Sequence, residues 1–269
     1  MLLRAPLTKL GDAGLRTVGL IGAIGLLLRD VAGLTPTLVT ASRGRRMAWD
    51  NLWFQMYRVG VKSIGVVGLV TFCIGAILAL QIGPILQDYG AVDQLPTIIG
   101  IAMFRELGPL IGAIVLVGFA GASIAAELGT MAVSEELKAL RSHAISPIRF
   151  LVLPRVLATT IMTVCLATFS NAMGVVGGSS TAYLALGMSP SRYVEQTFAS
   201  ASELDLLTGL FKAGVFGAII GALPCYLGIN VRGGASGVGS ATTNTVVFSI
   251  VALVCVDLLF TFVFYMLEL

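Results

Sequence analysis

Four ionisable residues fall inside long apolar runs of this sequence: Arg105, Glu106, Lys212 and Asp257. A charge at the centre of a membrane-spanning helix costs at least ~2.5–3.5 kcal/mol on insertion scales, so such residues pair with one another, line a polar path, or do both. The chemistry open to them is the holding of a polar headgroup, the relay of an ion or proton, or the locking of one helix to another. Arg105 and Glu106 are chain neighbours and point about 100° apart on a helix, so they need not pair with each other. Glu106 with Lys212 is one pairing that would satisfy both. Pro109 cannot donate to the carbonyl of Arg105 and should kink the helix there, leaving an open carbonyl beside two charges. Asp257 has no obvious partner in the sequence and reads as structural. Tyr89, in the short loop QDYGAVDQ, is a candidate for the mouth of a cavity lined by Arg105, Glu106 and Lys212, although an exposed loop tyrosine is ordinary.

The elements that position these residues are membrane helices. Hydrophobic residues make up 57% of the chain and charged residues 12%, and the mean hydropathy is +0.94, far from the averages of soluble domains. The 32 glycines suit closely packed spanning helices. The short alternating segments of a β-barrel are absent from the pattern. A net charge of +3 gives nucleic-acid binding no electrostatic support. Cys73, Cys165, Cys225 and Cys255 each stand alone in apolar runs and read as small hydrophobes, while His143 has no ligand-bearing company. No metal site, resident cofactor or nucleophile–base arrangement is therefore expected.

Five spans are expected at roughly 63–82, 95–125, 156–180, 206–229 and 244–267, each with about 20 apolar residues. Residues 1–60 read as an interfacial arm and 61–269 as the transmembrane domain. In the arm, Arg4, Lys9, Arg16, Arg29, Arg43, Arg45 and Arg46 surround an apolar run, Thr17 to Leu28, that is too short to span and suits an amphipathic helix on the membrane face. Trp49 and Trp53 mark a second interfacial piece over 47–60. The basic residues Arg58, Lys62, Lys138, Arg141, Arg149, Arg155 and Arg232 fall on one side of the predicted spans, which makes that side cytoplasmic and places the N-terminus inside.

Between the second and third spans, Ser134 precedes Glu135 and Glu136 in the manner of a helix cap with acidic residues in the first turn. Leu137, Leu140, Ala144 and Ile148 then recur at spacings of three and four, with Lys138, Arg141 and His143 off that stripe. A short amphipathic helix over 134–148 results, resting on the membrane domain or docking a soluble partner. Gly118, Ala122 and Ala126, and Gly214, Gly217 and Gly221, read as helix-packing faces. GASGVGSA over 234–241 lacks the Lys of a phosphate loop and reads as a glycine-rich cytoplasmic turn.

RELGP at 105–109, AAELGTM at 125–131, SEELKALRSHAISPIRFLVLPRVLA at 134–158, and GVGSATTNTVV at 237–247 followed by Asp257 together resemble the MlaE/YrbE-like permeases of MCE-associated ABC transporters. The resemblance runs from about Gln55 to near the C-terminus. It implies an all-α homodimeric permease of a bacterial inner membrane that moves phospholipid between membranes. Its expected partners are a separate ATPase, which binds the ATP, a periplasmic MCE-domain protein, and as an optional further member a small STAS-domain protein. The loop after the second span then becomes a coupling helix, with Glu127, Glu135, Glu136, Leu137, Leu140 and Arg141 toward the ATPase. Phe119 stands where the family pattern carries Arg. An alternative reading is an ion- or proton-coupled secondary transporter using Glu106, Lys212 and Asp257 as relay groups, against which five spans without an inverted repeat weigh.

Overall fold

A computed structural model describes residues 18–19, 21–35 and 45–267, and among these the chain is helical with no strand. Helix α1 covers residues 21–35. It is followed by α2 (Arg45–Val59) and α3 (Ile64–Asp88). The second span is assembled from α4 (Leu95–Ala102), α5 (Gly108–Leu116) and α6 (Ala122–Val133), joined by π-helical turns at Met103–Leu107 and Val117–Gly121. A short α7 (Glu136–Ser142) precedes a π-helical turn at Ile148–Val152 and the long α8 (Leu153–Leu186). Then come α9 (Pro190–Ser200), α10 (Glu203–Ile229) and α11 (Gly234–Met266). Five helical stretches are long and apolar enough to cross a membrane, so the protein is a multi-pass membrane protein. Helix α7 lies at one end of the spans and α9, packed on α4, at the other.

Helix α8 is the centre of the bundle, packed by α3, α10, α5 and α2, and glycines set how closely. A Cβ on Gly75 of α3 would lie 2.0 Å from the carbonyl oxygen of Gly174, and one on Gly177 would lie 2.0 Å from that of Phe72. The two backbones touch, which only glycine permits. Gly217 and Gly221 do the same for α10, where a Cβ would fall 2.7 Å from the Cα atoms of Thr160 and Val156. Gly118 departs from expectation. It has open space around it, because the π-helical turn carries it off the packed face. Buried hydroxyls on these helices satisfy themselves locally: Thr71, Thr159 and Thr163 each donate to the carbonyl four residues back, as a low-dielectric interior requires.

Three apolar clusters stack along the bundle. The one at the α7 end joins Val31 of α1 to Leu128, Leu137, Val152 and Leu153. Helix α1 thus extends past the expected Thr17–Leu28 and packs on the protein's own core. Arg4, Lys9, Arg16, Thr17 and Arg43 lie outside the described residues, as do the side chains of Arg45 and Arg46. At the opposite end Tyr193 of α9 is fully buried among Leu95, Ile99 and Met103. Gly178 makes room for its ring, since a Cβ there would sit 2.4 Å from the phenol oxygen. Burial pushes the Tyr193 phenol well above its ordinary pKa.

Two boundaries differ from the sequence reading for local reasons. The helix expected over 134–148 contracts to Glu136–Ser142, with Glu135 (φ 63°) and Ala144 (φ 60°) in left-handed conformations on either side. Ser134 does not cap it: its hydroxyl donates to the Glu136 carboxylate at 2.9 Å. The glycine-rich run 234–241 is the first two turns of α11 and not a turn. The reversal falls just before it, at Gly233 (φ 92°) and Gly234 (φ 69°).

Candidate functional site: two ion-paired clusters in the helical bundle

Glu106 owes its place to the wide turn at Met103–Leu107. Pro109 has no N–H, and the Gly108 N–H reaches back five residues to the Met103 carbonyl, so the expected kink takes the form of a π-helical turn. The Phe104 carbonyl released from the ladder is met by Gly209 of α10, where a Cβ would lie 2.0 Å from its oxygen. That contact brings α10 against the turn one helical step before Lys212.

Lys212 is 1% exposed and donates three hydrogen bonds: to Glu106 Oε2 at 2.7 Å, to Asp257 Oδ1 at 3.0 Å and to Thr261 Oγ1 at 2.9 Å. An ammonium has three protons to give, and each finds an oxygen from a different side chain. The Thr261 hydroxyl in turn lies 2.9 Å from Glu106 Oε1. One cation thus ties the second, fourth and fifth spans together. The cluster is graded in exposure: the amine is sealed, Asp257 is 14% exposed and Glu106 34% exposed. Its carboxylate edge opens outward beside α11, a helix whose apolar side chains are largely uncovered, Leu258 and Phe262 being 70% and 58% exposed. Glu106 is therefore the most open charged member of the cluster and Lys212 the most enclosed.

Arg105 turns elsewhere. Its guanidinium pairs with Asp205 Oδ1 at 3.3 Å. Asp205 also accepts from the Ser202 N–H at 2.9 Å, within a capping box that starts α10. Tyr89 is 81% exposed just past the end of α3 and stands outside the ion-paired cluster. Of the four residues proposed for a headgroup path, the fold joins Glu106 to Lys212 and places Arg105 and Tyr89 separately.

At the α7 end, Glu127 is shared by two arginines. Arg155 of α8, 3% exposed, donates to Oε1 at 2.6 Å and to the Leu151 carbonyl at 2.8 Å. Arg58 of α2 pairs with the other carboxylate oxygen and donates to Ser123 Oγ at 2.6 Å. This knot holds α2, α6 and α8 at the base of α7. On α7 itself, Leu137 is buried, Leu140 packs on the same apolar cluster, and Glu136 and Arg141 face outward, as does Glu135 just before it. Lys138 beside Glu135, at 2.6 Å, holds that carboxyl below the usual carboxylate range. Such a solvent-exposed pair adds little to stability.

Sequence reasoning missed Asp257 and Thr261 as partners of Lys212, Asp205 as the partner of Arg105, and Arg58 and Arg155 as those of Glu127. The first had a legible signal, because Asp257 and Thr261 are four residues apart and share a helix face. The second had the Ser202-x-x-Asp205 spacing of a capping box. The third had none, since neither arginine is near Glu127 in the chain.

The architecture is that of a helical membrane protein with polar groups tying its spans at two levels. Comparison with known proteins gives the family. The profile of the family described as permease MlaE matches residues 52–263. A probable ABC transporter permease protein of Rickettsia felis is 38% identical over 211 residues, 78% of this chain and 82% of its own. One of Synechocystis is 34% identical over 203 residues, covering 76% and 77% of the two chains. The chloroplastic protein TRIGALACTOSYLDIACYLGLYCEROL 1 of Arabidopsis thaliana is 32% identical over 220 residues, 82% of this chain and 63% of its own. The chain belongs to the MlaE permease family and is an ABC transporter permease.

Proposed function

We propose that this chain is the transmembrane subunit of an ABC-type lipid transporter of the bacterial inner membrane. It acts as a homodimer, draws energy from a separate ATPase, and passes phospholipid to or from a periplasmic MCE-domain protein, with a small STAS-domain protein as an optional further member. The observation that carries this reading is the family match across residues 52–263, with α7 projecting between the second and third spans as a helix whose apolar side is anchored and whose charged side is free. The Arabidopsis relative bears the name of a diacylglycerol glycolipid, which supports a lipid as the cargo. The α7 end is cytoplasmic on this reading, because Lys62, Lys138, Arg141, Arg149 and Arg232 gather there. The chain itself does no catalysis and needs no cofactor: GASGVGSA lacks the lysine of a phosphate loop and begins a membrane helix.

Glu106, opening from the sealed Lys212, is the group that meets the lipid headgroup, with Arg105 and Tyr89 further toward the α9 end. Glu135, Glu136, Leu140 and Arg141 form the docking face, held in place by Leu137 and by Glu127 at the helix base. Arg141→Glu is therefore expected to lower co-purification of the ATPase in mild detergent at least tenfold, the loss of one well-placed charged contact together with the new repulsion, while expression and dimer formation stay at the wild-type level. ATPase recovery equal to wild type would remove α7 from the docking surface, and absence of any ATPase from the wild-type preparation would remove the reading itself.

A further inference from the structure

A cavity of about 230 Å³ lies at the α7 end, away from the Lys212 cluster, and its walls include Gln55 and Arg58 of α2, Lys62 just beyond it, and Phe119 and Ser123 of the second span. Its chemistry is that of an anion site with an apolar side. Arg58 and Arg155 share the single carboxylate of Glu127, so positive charge is in excess, and Lys62 adds to it, exposed and without an ion pair among the described residues. A guanidinium has five N–H donors, and Glu127 and Ser123 take one each from Arg58. Gln55 supplies the opposite polarity: the residue is 2% exposed, and its side-chain carbonyl oxygen has no hydrogen-bond partner among the described residues. A buried acceptor of this kind calls for a donor from whatever occupies the cavity. Phe119, 42% exposed, gives the cavity an apolar wall that continues outward.

We propose that this cavity binds the headgroup of an anionic phospholipid, distinct from the lipid in transit: Arg58 and Lys62 hold the phosphodiester, Gln55 accepts from a headgroup hydroxyl, and the acyl chains run along Phe119. The volume is below the ~300–1,000 Å³ typical of pockets for whole drug-sized ligands and suits a headgroup alone. Phe119 offers the chains a surface, and the charge is supplied by Arg58 and Lys62. A free phosphate shares the anion chemistry but has no use for the exposed apolar wall. The proposal rests on the functional reading above only in assigning the site to the cytoplasmic leaflet.

The chain's two tryptophans, Trp49 and Trp53, both lie on α2 within two turns of Gln55, and their quenching reads brominated lipid gathered around that helix. The test is tryptophan quenching of the full-length protein in phosphatidylcholine nanodiscs doped with brominated phosphatidylglycerol or, at the same mole fraction, brominated phosphatidylcholine. Brominated phosphatidylglycerol is expected to quench more strongly, and Lys62→Gln, which neutralises an exposed charge, to reduce that preference roughly tenfold, the usual scale of a charge-assisted contact. Gln55→Leu reduces it as well. Equal quenching by the two lipids in the wild type, or an undiminished preference in Lys62→Gln, overturns the proposal. So does loss of the preference on adding inorganic phosphate but not sodium chloride of the same ionic strength, which would make the cavity a free-anion site. The assay involves neither ATP nor lipid transfer, so its outcome is separate from that of the transport reading.

Discussion

Lys212→Gln is expected to destabilise the folded permease by about 3–5 kcal/mol, the cost of removing one partner from a buried ion pair. The side chain is 1% exposed, and its ammonium is the only cation within hydrogen-bonding reach of both Glu106 and Asp257 among the described residues. Without it two carboxylates face each other, and Asp257, 14% exposed, has little water to turn to. Glu106→Gln removes a charge from the open side of the same cluster, keeps an amide oxygen to accept from Lys212 while its amide N–H turns to the Thr261 hydroxyl, and leaves the amine paired with Asp257. Its expected cost is about 1 kcal/mol, that of an ordinary hydrogen bond exchanged for a weaker one. Thermal unfolding in detergent, read alongside the yield of assembled protein, distinguishes the two. Equal destabilisation by both substitutions would mean that the cluster is dry on every side and has no headgroup-facing edge.

Glu127→Gln should also destabilise strongly, by about 3 kcal/mol, since Arg155 is 3% exposed and would keep only the Leu151 carbonyl as a full-strength partner. Arg58, 29% exposed, can rehydrate, so the loss falls mainly on the contact between α6 and α8. A double-mutant cycle isolates the effect: Glu127→Gln with Arg155→Gln should be more stable than Glu127→Gln alone, because the stranded charge has gone. Additive losses in the cycle would show that Glu127 and Arg155 contribute independently. Because the knot sits at the base of α7, the single variant should in addition weaken ATPase docking more than its stability loss alone explains.

The five spans were legible because a membrane helix must satisfy its backbone internally and present about 20 apolar residues. Their ends were not. Helix α8 runs from Leu153 to Leu186, well past the expected 156–180, and α11 begins at Gly234, ten residues before the expected start. In both, small polar residues such as Ser179, Ser180, Ser236 and Ser240 lower the hydropathy without interrupting the backbone ladder. Helix α9 escaped notice altogether, since PSRYVEQTFAS reads as a polar loop. Tyr193 seated against Gly178 anchors it, together with the Thr197 hydroxyl on the Pro96 carbonyl and the Arg192–Asp93 ion pair, all contacts between residues fifteen or more positions apart that no local period displays.

Glu106 and Lys212 could be suspected as partners because both are costly in a membrane and carry opposite signs. Asp257 could not be placed, because hydropathy reveals which residues lie within a span and not which span lies beside it. Pro109 signalled a disturbance of the helix correctly, yet whether proline yields a bend or a π-helical turn depends on the neighbour. Gly209, by packing on the freed Phe104 carbonyl, fits the π-helical outcome and brings Lys212 to Glu106.

The proposed carriage of lipid past Glu106 is tested most directly by reconstituting this permease with its ATPase in liposomes and following fluorescent phospholipid to acceptor membranes bearing the proposed MCE-domain partner. Transfer is expected only with hydrolysable ATP, and Glu106→Gln is expected to slow it at least tenfold in complexes that still assemble and hydrolyse ATP. An assembled, ATP-hydrolysing complex that moves no phospholipid, or one whose transfer is driven by a proton gradient without ATP, would contradict the account.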